Sequence, residues 1–177
     1  IWKQGRGKLG PLSPLLGKWS ADAESPMGPI SCSREYKLVL GGTRIQLECR
    51  WQAKSFTYDE LAIFGPDTEG KLIFNSFTSD GKSSNGYISD GTDVHPEAIC
   101  FEAQMPAGIA RQVFWPDEEG GFHWAVESKT KKGWKRFRYQ LLLTHRVQHH
   151  EHHKRRTPFK NKTNNFKAND YSLNLSY

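Results

Sequence analysis

Two arginines are the residues most suited to ligand chemistry, because each lies in an otherwise apolar, alternating stretch. Arg34 precedes Tyr36 and Leu38 at two-residue spacing, and Arg111 lies between Ile109 and Val113. A guanidinium that points into a protein interior needs a carboxylate, ordered water or an anionic ligand, because an unpaired buried charge is costly. The spacing therefore predicts that Arg34, Arg111 or both receive a carboxylate or another polar head group.

The sequence lacks the familiar patterns of hydrolytic and metal chemistry. No Gly-x-Ser-x-Gly elbow, His-Glu-x-x-His motif or phosphate loop occurs. Asp117-Glu118-Glu119 precedes two glycines and predicts a solvated hairpin tip. Cys32, Cys49 and Cys100 lack CxxC spacing, which predicts packing thiols rather than ligands or nucleophiles. We therefore expect no catalytic residue and no metal site.

Charge is distributed unevenly along the chain. Residues 1–128 carry 12 Lys and Arg against 17 Asp and Glu, a net charge of −5, whereas residues 129–177 carry 13 against 2, a net charge of +11. The acidic first part argues against a nucleic-acid partner. An odd number of cysteines and the lack of a run of about 18 apolar residues predict a cytoplasmic protein without a transmembrane segment. The oligomeric state stays open.

Turn signals after Gly17 divide the chain into short stretches rich in β-branched and aromatic residues. About ten strands are predicted: 17–24, 30–40, 43–53, 59–65, 71–78, 82–89, 97–105, 109–115, 121–129 and 134–143. Closure of such a meander removes its two exposed edges, which predicts an all-β, up-and-down antiparallel barrel. A single helical turn is predicted at 11–16.

The composition changes after Leu143. Five histidines between 145 and 153 precede Lys154-Arg155-Arg156 and a run rich in Asn and Lys. Few apolar residues are present to offset the entropy of ordering this segment. We therefore predict a barrel domain over 11–143 and a disordered basic tail over 144–177.

Alternation predicts which side chains line the barrel. A hairpin at Gly41-Gly42 would pair Leu38 with Ile45, Tyr36 with Leu47, Arg34 with Cys49 and Cys32 with Trp51. On this face Arg34 is the one charge, and Tyr36 and Trp51 form walls of a cavity. A second interior face is predicted to carry Ile109, Arg111, Val113 and Trp115, and Tyr139 of the last strand completes the predicted ligand set. Inward apolar rows are also predicted for Ile99, Phe101, Ala103 and Met105, and for Phe122, Trp124 and Val126.

Gly17-Lys18-Trp19 at the first strand resembles the Gly-x-Trp signature of lipocalins, within the calycin group of barrels. Residues 39–43 and the turn Gly65-Pro66-Asp67 are similar to an uncharacterised bacterial group of lipocalin-like domains. The resemblance covers about residues 11–143. It implies structural roles for Gly17 and Trp19, with Arg138 or Arg136 stacked over the Trp19 ring.

Resemblance to two more distant barrel families would imply a specific ligand. Fatty-acid-binding proteins hold a carboxylate with interior arginines and a final-strand Arg-x-Tyr, but the last strand here reads Arg136-Phe137-Arg138-Tyr139, which leaves Arg111 as the plausible equivalent. Nitrobindin-like haem barrels need an interior histidine late in the chain. His123 alternates with Phe122 and Trp124 and is expected to face outward, so no haem or other cofactor is expected.

The leading hypothesis is a barrel that binds a small hydrophobic molecule, with an anionic head group, in its lumen. One alternative is an isomerase- or cyclase-type enzyme in which Tyr or Arg polarises a carbonyl, which would require a buried carboxylate or histidine beside the cavity. Another is a barrel filled by its own aromatic side chains, acting as a structural or interaction module.

Overall fold

The computed structural model describes residues 2–25 and 28–144. In these ranges a 3₁₀ helix, Gly10–Leu15, precedes ten strands: β1 (Gly17–Ser25), β2 (Gly28–Val39), β3 (Arg44–Ala53), β4 (Thr57–Pro66), β5 (Leu72–Thr78), β6 (Ser83–Ser89), β7 (Ile99–Met105), β8 (Gly108–Pro116), β9 (Phe122–Thr130) and β10 (Gly133–Leu142). The predicted helical turn and the predicted all-β class are both confirmed. Apart from Thr144, the predicted tail lies outside the described residues.

Each strand pairs antiparallel with the next one along the chain, from β1 to β10. The sheet curls until its first and last strands meet, where Ser20 and Leu143 exchange two backbone hydrogen bonds of 2.9 Å. The predicted up-and-down barrel is therefore confirmed, in a nearly closed form. No helix in the described part of the chain has the length and apolarity that a membrane span requires.

The β2–β3 hairpin has the register that the Gly41-Gly42 turn predicts. Leu38 pairs with Ile45, Tyr36 with Leu47, Arg34 with Cys49 and Cys32 with Trp51. This register places Arg34 on the inward face, where it is 4% exposed. A slip of one residue would exchange every inward and outward side chain, so the pairing decides which arginine enters the interior.

The helix end of the barrel is filled by apolar side chains. Leu12 and Leu15 of the helix are each 1% exposed and close this end. Behind them, the Phe101 ring lies 5.4 Å from the Phe64 ring and 5.6 Å from the Phe74 ring, centroid to centroid. We refer to this part of the interior as the aromatic plug.

The Gly-x-Trp segment fastens the helix to the barrel. Gly17 has φ of +132°, a conformation that other residues rarely adopt, and this turns the chain from the helix into β1. The indole nitrogen of Trp19 donates a 2.8 Å hydrogen bond to the carbonyl oxygen of Leu15. Its ring also packs edge-on against Phe122 at 4.9 Å. These contacts favour the structural roles predicted for Gly17 and Trp19, which stay predictions.

Three of the predicted lumen residues, Arg111, Trp115 and Tyr139, lie on the outer face instead. In β8 it is Gln112 that pairs with Phe101 and Val126 on the inward side, so Arg111 and Trp115 point outward. Tyr139 pairs with Ala125, which is also outward, and is 50% exposed. The inward orientation predicted for these three residues is wrong.

The error has a packing cause, because β8 is buried on both faces. The loop 90–98 folds over the outside of the barrel at β7 and β8. A Cβ atom on Gly91 would lie 2.9 Å from Cβ of Cys100 and 3.4 Å from Cγ1 of Val113, and Val113 is 0% exposed. Alternation of apolar residues therefore does not distinguish the two faces of this strand.

The predicted stack of Arg136 or Arg138 over Trp19 does not fit the register of β10. The Arg136 guanidinium lies 4.9 Å from the Trp115 ring instead. Arg138 pairs with Val126 on the inward face, five residues before Leu143, which is about 17 Å along a strand. The seam at Leu143 is where Trp19 lies, so Arg138 is too distant to cover it.

Substitution of Leu142 tests how much the packing of β10 at the closing bridge contributes to stability. Its side chain is 0% exposed inside the barrel beside the closing bridge. We expect Leu142→Ala to lower the free energy of unfolding by about 2–5 kcal/mol, because burial is lost and a cavity remains. Leu141→Ala, on the outer face of the same strand, should cost about 1 kcal/mol or less. Chemical denaturation of both variants measures the difference, and equal losses would contradict the proposed packing of β10.

Candidate functional site

Three neighbouring strands bring a cation, a thiol and a carboxyl group side by side on the inward wall. Arg34 of β2 pairs with Cys49 of β3, and Cys49 pairs with Glu60 of β4. Directly opposite residues in antiparallel strands share a face, with Cβ atoms about 5 Å apart. Together with their inward polar neighbours they form what we call the polar layer, in the middle of the barrel: Cys32, Arg34, Cys49, Glu60, Ser76, Ser84, Gln112 and Gln140.

Arg34 reaches from β2 past β1 to side chains of β10 and β9, on the other side of the barrel seam. Its Nη1 donates to the Tyr36 hydroxyl at 3.1 Å, and its Nη2 donates to Oε1 of Gln140 at 2.9 Å. The guanidinium also lies 4.3 Å from the centre of the Trp124 ring. Burial by itself would lower the pKa of Arg34, but the acidic groups of Tyr36, Cys49 and Cys32 raise it, so the guanidinium stays charged.

Two buried polar atoms in this region have no hydrogen-bond partner among the described residues. They are Nε of Arg34 and Oγ of Ser84. A buried donor without an acceptor costs about 1–3 kcal/mol, so such groups usually meet water or a ligand. Ser84 faces inward because it pairs with Ser76 across β5 and β6. The polar layer therefore offers unused hydrogen-bonding capacity on two sides of the lumen.

Glu60 is the interior carboxyl group that the sequence reasoning missed. Ser76 donates a 2.6 Å hydrogen bond to its Oε2 atom. Burial raises the pKa of Glu60, while the hydrogen bond from Ser76 and the charge of Arg34 oppose the rise. The signal was present in the sequence, because Glu60 alternates with Tyr58, Ala62 and Phe64.

Tyr36 and Trp51 both lie on the inward face, and their role as walls of a ligand cavity stays a prediction. Burial raises the pKa of Tyr36, so its hydroxyl stays protonated beside Arg34. The Trp51 ring lies 6.4 Å from the Trp124 ring. Trp51 is half-buried although it points inward, whereas Tyr36 is 1% exposed.

The barrel is less completely covered at the end opposite the helix. There Ile30, Met105 and Arg138 are half-buried and Ala23 is exposed, although Tyr58, opposite Trp51, is 4% exposed. At the helix end Tyr36, Ile45, Phe64 and Phe74 are buried in the aromatic plug, whereas Leu38 at the rim is 53% exposed.

Arg111 belongs to a separate cluster on the outer face. Its Nη1 and Nη2 donate to the two carboxylate oxygens of Asp93 at 2.9 and 2.6 Å, and its Nε donates to Glu127 at 2.9 Å. The guanidinium also stacks on Trp134 at 4.3 Å. With two carboxylates and a ring in contact, Arg111 fastens the loop 90–98 to the barrel wall and has no free donor directed at the lumen.

A second outer-face group surrounds His123. Its Nε2 lies 2.8 Å from Oδ1 of Asp117, and its Nδ1 is hydrogen-bonded to the Tyr139 hydroxyl. The Trp115 ring stacks on the imidazole at 5.1 Å. His123 points outward, as predicted. Asp117 and Tyr139 hold the imidazole in place on both nitrogens, and the predicted ligand residues Trp115 and Tyr139 take part in this cluster.

Three cavities lie on the surface of the barrel. One of about 600 Å³ lies on the outer face between Asp93, Trp115, Trp134 and Arg136. A groove of about 790 Å³ crosses the outside of β1 to β5, where it touches the backs of the strands that carry Arg34 and Glu60. A third, of about 490 Å³, lies between the helix and the β2–β3 turn. All three are lined largely by outward-facing or end-loop residues.

Comparison with known proteins does not assign the chain to a family. The chain matches no family model, and no curated protein matches it. The barrel is compatible with a calycin-like fold, and membership of the lipocalin-like group stays a prediction. Among the described residues, no group of three or more His, Cys, Asp or Glu side chains is arranged to hold a metal ion.

Because the pKa of Glu60 is raised in the folded protein, the stability of the fold should depend on pH. A group whose pKa is higher in the folded protein stabilises it when protonated and loses this contribution as pH rises through the folded pKa. We therefore expect Glu60→Gln to gain stability relative to the unmodified protein as pH rises from about 4, the ordinary carboxyl pKa, through the raised pKa of the folded state. Thermal unfolding across this range measures the effect.

Asp59→Asn is the matched control. Asp59 is next to Glu60 but points outward, and its hydrogen bond from Arg50 lowers its pKa. Ionised Asp59 stabilises the folded protein above the ordinary carboxyl pKa, and this stabilisation is lost as pH falls. As pH rises, Asp59→Asn should therefore lose stability relative to the unmodified protein, whereas Glu60→Gln should gain it. A pH dependence of equal sign in both variants would contradict the burial of the Glu60 carboxyl.

Proposed function

We propose that the protein binds a small molecule with an anionic head group in the half of its lumen opposite the helix, with Arg34 as the anchor. The observation that supports this most directly is the unused Nε donor of a buried, charged guanidinium. Charge-assisted hydrogen bonds to a carboxylate or a similar anion are about twice as strong as neutral ones. Such a ligand would satisfy Arg34 without removing its contacts to Tyr36 and Gln140.

The walls beside the polar layer suit a short apolar body. The Trp51 and Trp124 rings, from β3 and β9, lie 6.4 Å apart, and the small buried side chains of Ala103 and Ala110 lie on β7 and β8. The aromatic plug occupies the rest of the interior. A long acyl chain therefore has no space beyond Arg34, which favours a ligand of about medium length with its head at the polar layer and its tail toward the end opposite the helix.

Octanoate and octanol form a matched probe pair, because they share an apolar chain and differ in charge. We expect octanoate to bind and to shift the indole N–H signals of Trp51 and Trp124 in protein NMR spectra, with weaker binding of octanol. Arg34→Met should weaken octanoate binding by about 10- to 100-fold, since a charged hydrogen bond contributes about 1.5–3 kcal/mol. Arg50→Met, on the outer face, should stay within about twofold.

Arg34→Lys guards against a folding defect in the methionine variant. It keeps the charge and should retain part of the octanoate affinity, while thermal melting checks that each variant is folded. The proposal fails if the unmodified protein binds neither probe. It also fails if the folded Arg34→Met variant binds octanoate as tightly as the unmodified protein does. Shifts confined to Trp115 and Trp134 would place the ligand on the outer face and also refute it.

A second candidate function is proton transfer within the lumen. It is favoured by Glu60, a half-buried carboxyl group with a raised pKa near the Arg34 charge. A base of this kind removes a proton beside a carbonyl group while a guanidinium stabilises the oxyanion. Glu60 is hydrogen-bonded to Ser76 rather than to Tyr36 or Tyr139, so the tyrosines would not be its direct partners.

Exchange of carbon-bound protons tests this candidate. In D₂O, proton NMR of levulinate, a short oxo acid, should show deuterium incorporation beside the ketone faster than in buffer alone. We expect Glu60→Gln to abolish the acceleration and Asp59→Asn to retain it. No acceleration by the unmodified protein, or equal acceleration by both variants, would reject a catalytic role for Glu60 on this substrate class.

A further inference from the structure

Two of the three cysteines meet inside the barrel. Sγ of Cys32 lies 3.7 Å from Sγ of Cys49, and both residues are buried, at 1% and 4% exposure. They are diagonal neighbours on β2 and β3, because Cys32 pairs with Trp51 and Cys49 pairs with Arg34. Cys100 is separate: its Sγ accepts a 3.2 Å hydrogen bond from Ser89 on the outer face.

The surroundings make the two thiols unequal. The hydrogen bond from Cys49, together with the charge of Arg34 and hydrogen bonds from Gln140 and Arg34, lowers the pKa of Cys32 to about 6. The same contact raises the pKa of Cys49. One thiolate beside one thiol is the arrangement that reactive dithiols use, because the thiolate is the nucleophile and the thiol is the resolving partner.

We propose that Cys32 and Cys49 form a peroxide-sensitive dithiol that closes to a disulfide inside the lumen. The Cys32 thiolate attacks hydrogen peroxide, the O–O bond breaks, and the departing hydroxide takes a proton to become water, which leaves a sulfenic acid on Cys32. Cys49 then attacks that sulfur and its proton leaves with the hydroxide as a second water. In sum, two thiols and one peroxide give one disulfide and two waters.

Closure requires a local shift of β2 against β3, because the two cysteines are diagonal rather than directly opposite. A disulfide requires an S–S distance of about 2.05 Å, so the sulfur atoms, now 3.7 Å apart, must approach by about 1.7 Å. Hydrogen peroxide is little larger than water, and the proposal requires it to enter at the end opposite the helix, where Trp51 is half-buried. The reaction requires no anionic ligand in the lumen, so this proposal is independent of the proposed function.

Trypsin separates the three cysteines, which makes the product easy to identify. Cleavage after Lys18 and Arg34 releases Cys32 in peptide 19–34, cleavage after Arg44 and Arg50 releases Cys49 in peptide 45–50, and Cys100 falls in peptide 83–111. The reduced full chain is treated with one equivalent of hydrogen peroxide and its remaining thiols are alkylated. We expect a mass spectrum with peptides 19–34 and 45–50 joined, and with Cys100 alkylated.

Single variants resolve the order of the steps. In Cys49→Ser, dimedone should trap a sulfenic acid on Cys32, whereas in Cys32→Ser the reaction at Cys49 should be at least about tenfold slower, as expected for an unactivated thiol. Cys100→Ser should form the disulfide as the unmodified chain does. Thermal melting confirms that each variant is folded.

Three results would overturn the proposal. The first is a folded chain in which peptides 19–34 and 45–50 stay separate after peroxide treatment. The second is oxidation of Cys100 at the same rate as Cys32. The third is a linked peptide that forms only in denaturant, where the barrel no longer brings the two sulfur atoms together.

Discussion

The burial of the Arg34 guanidinium is the constraint on which the rest of the barrel interior depends. A charge removed from water needs hydrogen-bonding partners in several directions, and the loss of one of these partners strongly destabilises the folded protein. The hydroxyl of Tyr36 lies on the same strand, but Gln140 and the Trp124 ring come from β10 and β9, on the other side of the seam where β1 meets β10. In the described residues the backbone seam between β1 and β10 consists of the Ser20–Leu143 bridge. The Arg34–Gln140 hydrogen bond therefore links the two sides of the seam from inside.

The same constraint divides the interior into two parts with different chemistry. The aromatic plug stabilises the barrel by apolar burial and is closed by Leu12 and Leu15 of the helix. The polar layer contains the groups that a purely apolar core would exclude, namely a cation, a carboxyl group and a close pair of thiols. Their proximity shifts pKa values in opposite directions, upward for Glu60 and downward for Cys32. Such opposed shifts are typical of functional sites.

Much of the fold was predictable because the signals are local. Gly41-Gly42 determines the register of β2 and β3, and that register correctly placed Arg34 inside. Arg111 was misplaced because the loop 90–98 buries the outer face of β8, so that both faces of this strand read as apolar. In β10 the alternation breaks at a bulge between Arg136 and Arg138. Arg136 consequently shares the outer face with Tyr139, whereas uninterrupted alternation would place the two residues on opposite faces.

Alternation and turn chemistry in the sequence by themselves determined the strand number, the meander and the inward position of Arg34, because these depend on residues close together in the chain. Only the tertiary structure decided what Arg34 meets. Its partner Gln140 is 106 residues away, and Cys32, Cys49 and Glu60 converge only when three strands pair in one register. Closure of the barrel likewise decided that Arg111 joins Asp93 and Glu127 outside rather than a ligand inside. Contacts of this kind arise from sheet curvature and loop packing, which no local sequence pattern encodes.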